Sequence, residues 1–453
     1  MSQDAELAKL EKGQRQLVGV PGTIAAVVAS LMTLYFLKLS VLGEMNSELP
    51  KAVYLASTLI LVFLLYPAGR RSGRDKPSVI DYALATISLV VMVYWYVEVE
   101  NYWNNRPTMP TMPDLVMGAL LIALCLEMAR RVLGWALLAL GAFFLLQLVL
   151  GPHLIGIFQH KGFTIVRTVE YMYRGRDAIF GTILNIFTNF VFPFIIFGAF
   201  LEKSGAGGFF IDLACGIAGR LPGGPALVAV ISSAWFGSIS GSPVANAVAT
   251  GTFTIPLMKK VGYSPERAAA VEAAASTGGQ FMPPVMGAAA FVMATLTETP
   301  YRTIMLMALA PACLYFLYVG LSVFFYAKRH DFSGLPPESI PSLSSCMKRG
   351  WYYIGAPTIL FSMIIIGYSP MFSAFCGTAF LVLAVVATPR LRKGFAGFLF
   401  GSLVKSAKDN LMVGSVVGTI GIILGGITLG GLGLRFIVYP ENWTGGFVRI
   451  AVP

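Results

Sequence analysis

Two short polar segments carry the oxygen atoms with which this chain could do chemistry. The first is Gly237-Ser238-Ile239-Ser240-Gly241-Ser242-Pro243-Val244-Ala245-Asn246, and the second is Ser276-Thr277-Gly278-Gly279-Gln280-Phe281-Met282-Pro283-Pro284. Both are uncharged, and both set hydroxyl and amide oxygens beside glycine and proline within apolar sequence. A double glycine followed by a double proline breaks a helix. The break frees backbone carbonyls at the end of one half and presents N–H groups at the start of the next. Carbonyl oxygens suit a hard monovalent cation, and helix N-termini suit a carboxylate. Ser238, Ser240, Ser242, Asn246, Ser276, Thr277 and Gln280 add neutral ligands nearby. The competing use of small polar residues is close helix packing. Packing accounts for the Ala-rich run 268–275, but not for Ser, Thr, Asn and Gln gathered beside two breaks. Glu272, one turn before the second break, has two readings: a buried proton or cation ligand, or a carboxylate facing the cytoplasm.

The elements that hold these segments follow from length. The apolar arms 225–236 and 244–257 are about 12 and 14 residues, roughly 18 and 21 Å as helix. A hydrocarbon core of ~30 Å needs about 20 apolar residues. The arms therefore read as a re-entrant hairpin, 225–257, that dips to mid-membrane and returns. Irregular backbone is tolerated there only where protein buries it or it lines a cavity. Ser264-Pro265-Glu266-Arg267 then starts a helix with proline at its first position, and the double break makes 265–297 a broken span.

Composition agrees with a membrane setting. Of the 453 residues, 56% are hydrophobic and 12% charged, with mean hydropathy +0.73, where a soluble domain carries about 25% charged residues. The fold class expected is an all-α polytopic membrane protein. The net charge of +11 comes from short basic clusters between apolar runs, the pattern of the positive-inside rule, so nucleic acid is not the expected partner. The five cysteines are scattered and the three histidines fall in loops or at span ends, giving neither a disulfide framework nor a zinc site. The polar N-terminus precedes a full apolar run without a cleavage site, which reads as a retained first span and no signal peptide.

Expected spans are 20–42, 52–68, 79–97, 114–129, 132–150, 179–201, 301–327, 351–368, 371–388 and 410–430, with the hairpin and broken span between the sixth and seventh. Lys9, Lys12 and Arg15, then Arg70, Arg71, Arg74 and Lys76, then Arg130 and Arg131, mark one side. Glu44, Glu48, Glu98, Glu100 and Asp114 mark the other. That asymmetry places the N-terminus in the cytoplasm, and the parity of later basic clusters closes only with a re-entrant hairpin. Segments 164–176 and 207–220 read as interfacial amphipathic helices or, alternatively, as plain connections.

The run GSISGSPVANAVATGTFTIPLMKKVGYSPERAAAVEAAASTGGQFMPPVMGAAAFVMA, with FGAFLEKSGAGGFFIDLACGIAGR upstream, resembles the large membrane subunit of tripartite ATP-independent periplasmic (TRAP) transporters. It looks like the branch with TAXI-type solute receptors and fused small and large subunits. The resemblance divides the chain into a small-subunit-like four-helix domain, 1–131, and a connector span with interfacial helix, 132–178. A first transport repeat, 179–345, follows, and then scaffold spans with the start of a second repeat, 346–453. It implies an elevator-type permease of the bacterial inner membrane, with sodium as coupling ion and no other cofactor. A periplasmic receptor of TAXI type would deliver a small organic acid, a C4 or C5 dicarboxylate. Carried onto this sequence, the family's cation sites fall on Ser238, Gly241, Ser242, Asn246, Ser276, Thr277 and Gly278. Substrate contacts fall on Ser240, Pro243, Gly279, Gln280, Pro283 and Pro284.

One departure stands out. The segment 413–433 parallels 179–207, but Ile437-Val438-Tyr439-Pro440-Glu441-Asn442-Trp443-Thr444-Gly445-Gly446 follows where a second hairpin is expected. The reading is a truncated or frame-shifted chain, or a shortened natural one completed by a partner. On either, this polypeptide alone is expected not to transport. The rival classes are a channel, which needs a continuous lined pore, and a membrane-embedded enzyme, which needs a nucleophile–base pair or metal ligands at depth. No histidine lies in 238–284, so an enzyme is not the expected reading.

Overall fold

The computed structural model describes residues 14–15, 17–43, 48–69 and 76–435. The tail after 435, and Lys9, Lys12, Glu44, Arg70, Arg71 and Arg74 of the charge argument, lie outside the described residues. Among the described residues the fold is helical without a strand: an all-α polytopic membrane protein. Among the described residues, nine helices are long and apolar enough to cross a membrane. In chain order the helices are α1 Val20–Leu42, α2 Glu48–Leu65, α3 Val79–Asn105, α4 Met112–Leu133, α5 Trp135–Leu150, α6 Ile165–Arg174 and α7 Thr182–Lys203. They continue with α8 Ala206–Ala218, α9 Gly224–Ser240, α10 Pro243–Lys260, α11 Pro265–Gly278, α12 Ala288–Leu296 and α13 Tyr301–Arg329. Then come α14 Leu343–Ile366, α15 Pro370–Ala387 and, after a single helical turn at Pro389–Arg392, α16 Phe395–Leu429.

The chain forms two compact units, 1–32 with 44–188 and 407–453, and 33–43 with 189–406. In the first unit, Ser78 and Asp81 form a reciprocal cap at the start of α3, satisfying two of its orphan N–H groups. The same Asp81 is fully buried between two arginines: Arg15 Nη2 lies 2.8 Å from Oδ2 and Arg131 Nη1 2.6 Å from Oδ1. Asp114 plays the matching part at the start of α4, meeting Arg106 and, at 2.8 Å, Arg174 of α6. Trp95 stacks on Phe180 with ring centroids 3.7 Å apart.

In the second unit, α8, α9, α10 and α11 pack successively around Ala226, Ala229, Val230, Met258, Ala268 and Ala275. Small residues let these helices approach closely. Three details depart from the sequence reading. The hairpin arms are longer than expected, with 17 residues in α9 and 18 in α10, because Gly237 to Ser240 continue α9 and because Pro243 and Met258 to Lys260 belong to α10. Only Gly241 and Ser242 make the turn. At 1.5 Å per residue each arm is roughly 26 Å, so the length contrast with a full span is smaller than the apolar runs alone implied. The apolar stripe of α8 is covered, with Phe209, Phe210 and Leu213 buried where the helix meets α9 and α14. The last helix begins at Phe395 and runs 35 residues, because Lys405, Lys408 and Asp409 interrupt the hydropathy but not the helix.

Candidate functional site

The hairpin tip is built by a left-handed glycine. Gly241 has φ +59° and closes α9 through an N–H bond to Gly237 O at 2.9 Å. A Cβ there would sit 1.9 Å from Met286 O, so glycine is required both by the conformation and by the close approach of the broken span. Ser242 then caps α10, its hydroxyl accepting from Ala245 N–H at 3.3 Å, with Pro243 in the first helical position. Ser240 Oγ accepts from Ser242 N–H at 3.4 Å. Ser238 Oγ donates to Trp235 O at 2.7 Å, and its carbonyl accepts from Val285 N–H at 3.1 Å.

The break occurs where glycine and proline require it. α11 ends at Gly278, Gly279–Phe281 form a single 3₁₀ turn, and helix resumes at Ala288. Tyr301 Oη donates to the carbonyls of Pro284 and Val285 at 2.7 and 2.8 Å. Gln280 is exposed, while its carbonyl takes Gly287 N–H at 2.6 Å. Two of the carbonyls at the end of α11 are taken by protein groups: Ala274 O by Tyr315 Oη at 2.7 Å and Ser276 O by Asn246 Nδ2 at 3.4 Å.

Asn246 joins the two segments. Its side chain is fully buried and also donates to Ser233 O of α9 at 2.9 Å. Its Oδ1 is buried without a hydrogen-bond donor. Gly237 and Gly279 lie against each other beside it. The structure thus brings Ser238, Gly241, Asn246, Ser276 and Gly279 to one junction of hairpin and broken span. It sets Thr277 apart: that residue is exposed and its hydroxyl donates to Ala273 O at 2.7 Å. Gly278 faces the rings of Tyr315 and Phe316. Ser238 and Pro284 also line a cavity of about 300 Å³ whose remaining walls, among them Phe210, Trp235 and Phe361, are mostly apolar. In the turn after α10, burial pushes the Tyr263 hydroxyl up to about 12.

Glu272 is 2% exposed, which excludes the cytoplasm-facing reading. Its carboxylate accepts from the hydroxyls of Ser233, Thr250, Thr254 and Ser276. The sequence reading passed over Ser233, Thr250 and Thr254. The available signal was spacing, since Asn246, Thr250 and Thr254 recur every four residues and so share one face of α10.

Residues 120–438 match the family model described as "Tripartite ATP-independent periplasmic transporter, DctM component". The chain is similar to the C4-dicarboxylate TRAP transporter large permease protein DctM of Pseudomonas aeruginosa, 29% identical over 183 residues, which is 40% of this chain and 41% of that protein. It is also similar to the ectoine/5-hydroxyectoine TRAP transporter large permease protein UehC of Ruegeria pomeroyi, 25% identical over 228 residues, 50% of this chain and 51% of that protein. With the isethionate TRAP transporter permease protein DctMQ of Oleidesulfovibrio alaskensis it is 35% identical over 147 residues, 32% of this chain and 23% of that one. The matches span about half the length of these relatives, or less.

Proposed function

The chain belongs to the DctM component family of tripartite ATP-independent periplasmic transporters, and from that premise we propose a secondary active permease that imports a small organic acid by sodium symport. On this reading it lies in the bacterial inner membrane with its N-terminus in the cytoplasm, and works with a periplasmic solute receptor of TAXI type. The hairpin and broken span form the moving element of an elevator. Sodium is held by oxygens of Ser238, Gly241, Ser242, Asn246 and Ser276, with Thr277 and Gly278 at the margin. The acid sits against Ser240, Pro243, Gly279, Gln280, Pro283 and Pro284.

The observation that carries the proposal is the buried Asn246 Oδ1, an acceptor left without a donor at the meeting point of two helix breaks. Buried polar atoms are nearly always paired, and an oxygen in that state is suited to a cation. Three apolar helices, and the start of a fourth, Met112–Leu133, precede residue 120, where the family match begins, and they support the fused layout. The relatives' names include C4-dicarboxylate and isethionate, both small organic anions, which supports an acid as substrate. The test is uptake of labelled C4 and C5 dicarboxylates into liposomes holding the protein purified from its native membrane with its associated subunits and receptor. Uptake should require an inward sodium gradient and the receptor. Uptake that ignores both would overturn the reading.

A further inference from the structure

The hydroxyl cage around Glu272 is not used by the site described above, apart from the shared Ser276. α9 supplies Ser233, α10 supplies Thr250 and Thr254, and α11 supplies both Glu272 and Ser276. Ser276 Oγ lies 3.0 Å and Ser233 Oγ 3.3 Å from Glu272 Oε1, and Ser233 Oγ lies 3.2 Å from Thr250 Oγ1. Gly251 makes room, since a Cβ there would be 3.0 Å from Glu272 Cγ. The charged groups on the elements packed against α11 are Lys259 and Lys260 of α10 and Arg302, Lys328 and Arg329 of α13. α11 itself carries Glu266 and Arg267. None forms an ion pair with Glu272 among the described residues.

A buried carboxylate without a counter-charge is costly even when hydrogen-bonded. We propose that Glu272, Ser233, Thr250, Thr254 and Ser276 form a second cation site, for one dehydrated monovalent ion of about sodium size. The donor set is all oxygen, as a hard cation requires. One carboxylate with four neutral hydroxyls balances a single positive charge, whereas a divalent ion would leave a net buried charge. Oxygens held at roughly 2.3–2.6 Å from one ion stand about 3–3.7 Å from their neighbours. Ser276 and Ser233 have that spacing from Oε1, at 3.0 and 3.3 Å, while the Thr250 and Thr254 hydroxyls stand closer, as direct hydrogen bonds to the carboxylate. The hydroxyl protons also have other acceptors: Thr250 Oγ1 reaches Asn246 O at 2.8 Å and Thr254 Oγ1 reaches Thr250 O at 3.0 Å. Turning them to those carbonyls leaves hydroxyl lone pairs facing the ion, with the Thr250 and Thr254 side chains standing back from the carboxylate as the ion enters.

This inference deepens the sodium-symport reading and rests on it, adding a charge-neutralised ion to the neutral-ligand site at the hairpin tip. The experiment is equilibrium binding of radiosodium to the purified full chain, comparing wild type with Glu272→Gln, Thr254→Val and Ser242→Ala. Glu272→Gln should lose one saturable equivalent, and Thr254→Val should weaken that equivalent about tenfold. Ser242→Ala should leave it in place. Unchanged binding in both Glu272→Gln and Thr254→Val, with Ser242→Ala reduced, overturns the second site and leaves the tip site standing. An equivalent that Glu272→Gln removes only because the chain unfolds is exposed by Thr254→Val, which keeps the carboxylate; full-strength sodium binding in that variant overturns the proposal. Wild-type chain that binds no sodium at all overturns this site and the symport reading together.

Discussion

Gly237 of α9 and Gly279 of the turn after α11 meet backbone to backbone. A Cβ built on Gly237 would lie 2.5 Å from the Gly279 Cα, and one built on Gly279 would lie 2.7 Å from the Gly237 Cα. The same contact sets the position of Asn246, whose Nδ2 would be 2.9 Å from the added carbon at Gly237. Hairpin and broken span are therefore registered by two missing side chains rather than by a bond between side chains.

Alanine at either position should consequently be costly. The atoms it would strike are backbone, which cannot rotate away, and overpacking of this kind costs about 1–3 kcal/mol. Gly237→Ala and Gly279→Ala should each lower the thermal midpoint of the detergent-solubilised protein. Gly208→Ala in α8 is the control, because a Cβ there meets nothing within 4 Å, and it should be neutral or stabilising by about 0.4–1 kcal/mol. Equal midpoints for Gly237→Ala and Gly208→Ala would show that the close contact is not maintained in solution.

Asn246→Ala removes the donor shared by Ser233 O and Ser276 O and should cost about 1–3 kcal/mol, the penalty for leaving buried acceptors unpaired. If Asn246 is also a cation ligand, the gain in thermal midpoint from exchanging choline for sodium should shrink in this variant. Loss of stability by the same amount in both salts would mark Asn246 as purely structural.

Much of this was readable from residue order. Spans such as 20–42 and 301–327 appeared within a few residues because hydropathy over a long window reports burial in lipid directly. The break after Gly278 appeared because glycine and proline act locally on φ and on the hydrogen-bond ladder. What was not legible depends on which helix faces which. Gly237 to Ser240 look like a turn by composition, yet they continue the helix, with Gly237 packed on Gly279 and Ser238 O taking the Val285 N–H. Glu272 could not be assigned to interior or solvent until α10 was seen to lay Thr250 and Thr254 over it. The ion pairs of Asp81 and Asp114 were likewise out of reach, since the orientation argument treats Arg15, Arg131 and Asp114 only as charges beside a membrane.

Those ion pairs separate strong from weak electrostatics in one molecule. Asp81 and Arg131 are essentially inaccessible, and Asp81→Asn would remove the anion that Arg15 and Arg131 share, Arg131 keeping its second pair with Glu127 at 2.8 Å. Breaking one partner of such a buried set costs about 3–5 kcal/mol. Arg167→Gln removes a 42% exposed arginine from Glu170, which is itself 5% exposed but keeps the Tyr102 hydroxyl as a donor, and should cost less, about 1–3 kcal/mol. Denaturation in a mild detergent series should rank the two variants in that order, and the reverse order would refute the burial argument.

His160 gives the first unit a pH dependence with a defined sign. Its ring lies against Gly151, where a Cβ would come within 2.4 Å of it. Its Nδ1 accepts from Gly162 N–H at 3.0 Å, and the ring is buried. Burial holds the imidazole below its ordinary value of 6.5, outweighing a Gln147 backbone hydrogen bond that favours the charged ring, and the positive Arg435 pushes in the same direction as burial. A charged ring would also aim an Nδ1–H at the Gly162 N–H. Because the folded-state value is depressed, the unfolded chain binds the extra proton first as pH falls. Stability is therefore complete above 6.5 and declines on acidification through that value, by at most about 1.4 kcal/mol per pH unit for one proton. The thermal midpoint of the wild-type protein should fall between pH 8 and pH 5.5, as roughly set by that ordinary value. His160→Gln, which cannot take up a proton, should show a shallower fall over the same interval, even if its midpoint is lower throughout. Parallel curves for the two proteins would assign the acid sensitivity to other groups and reduce His160 to a packing role beside Gly151.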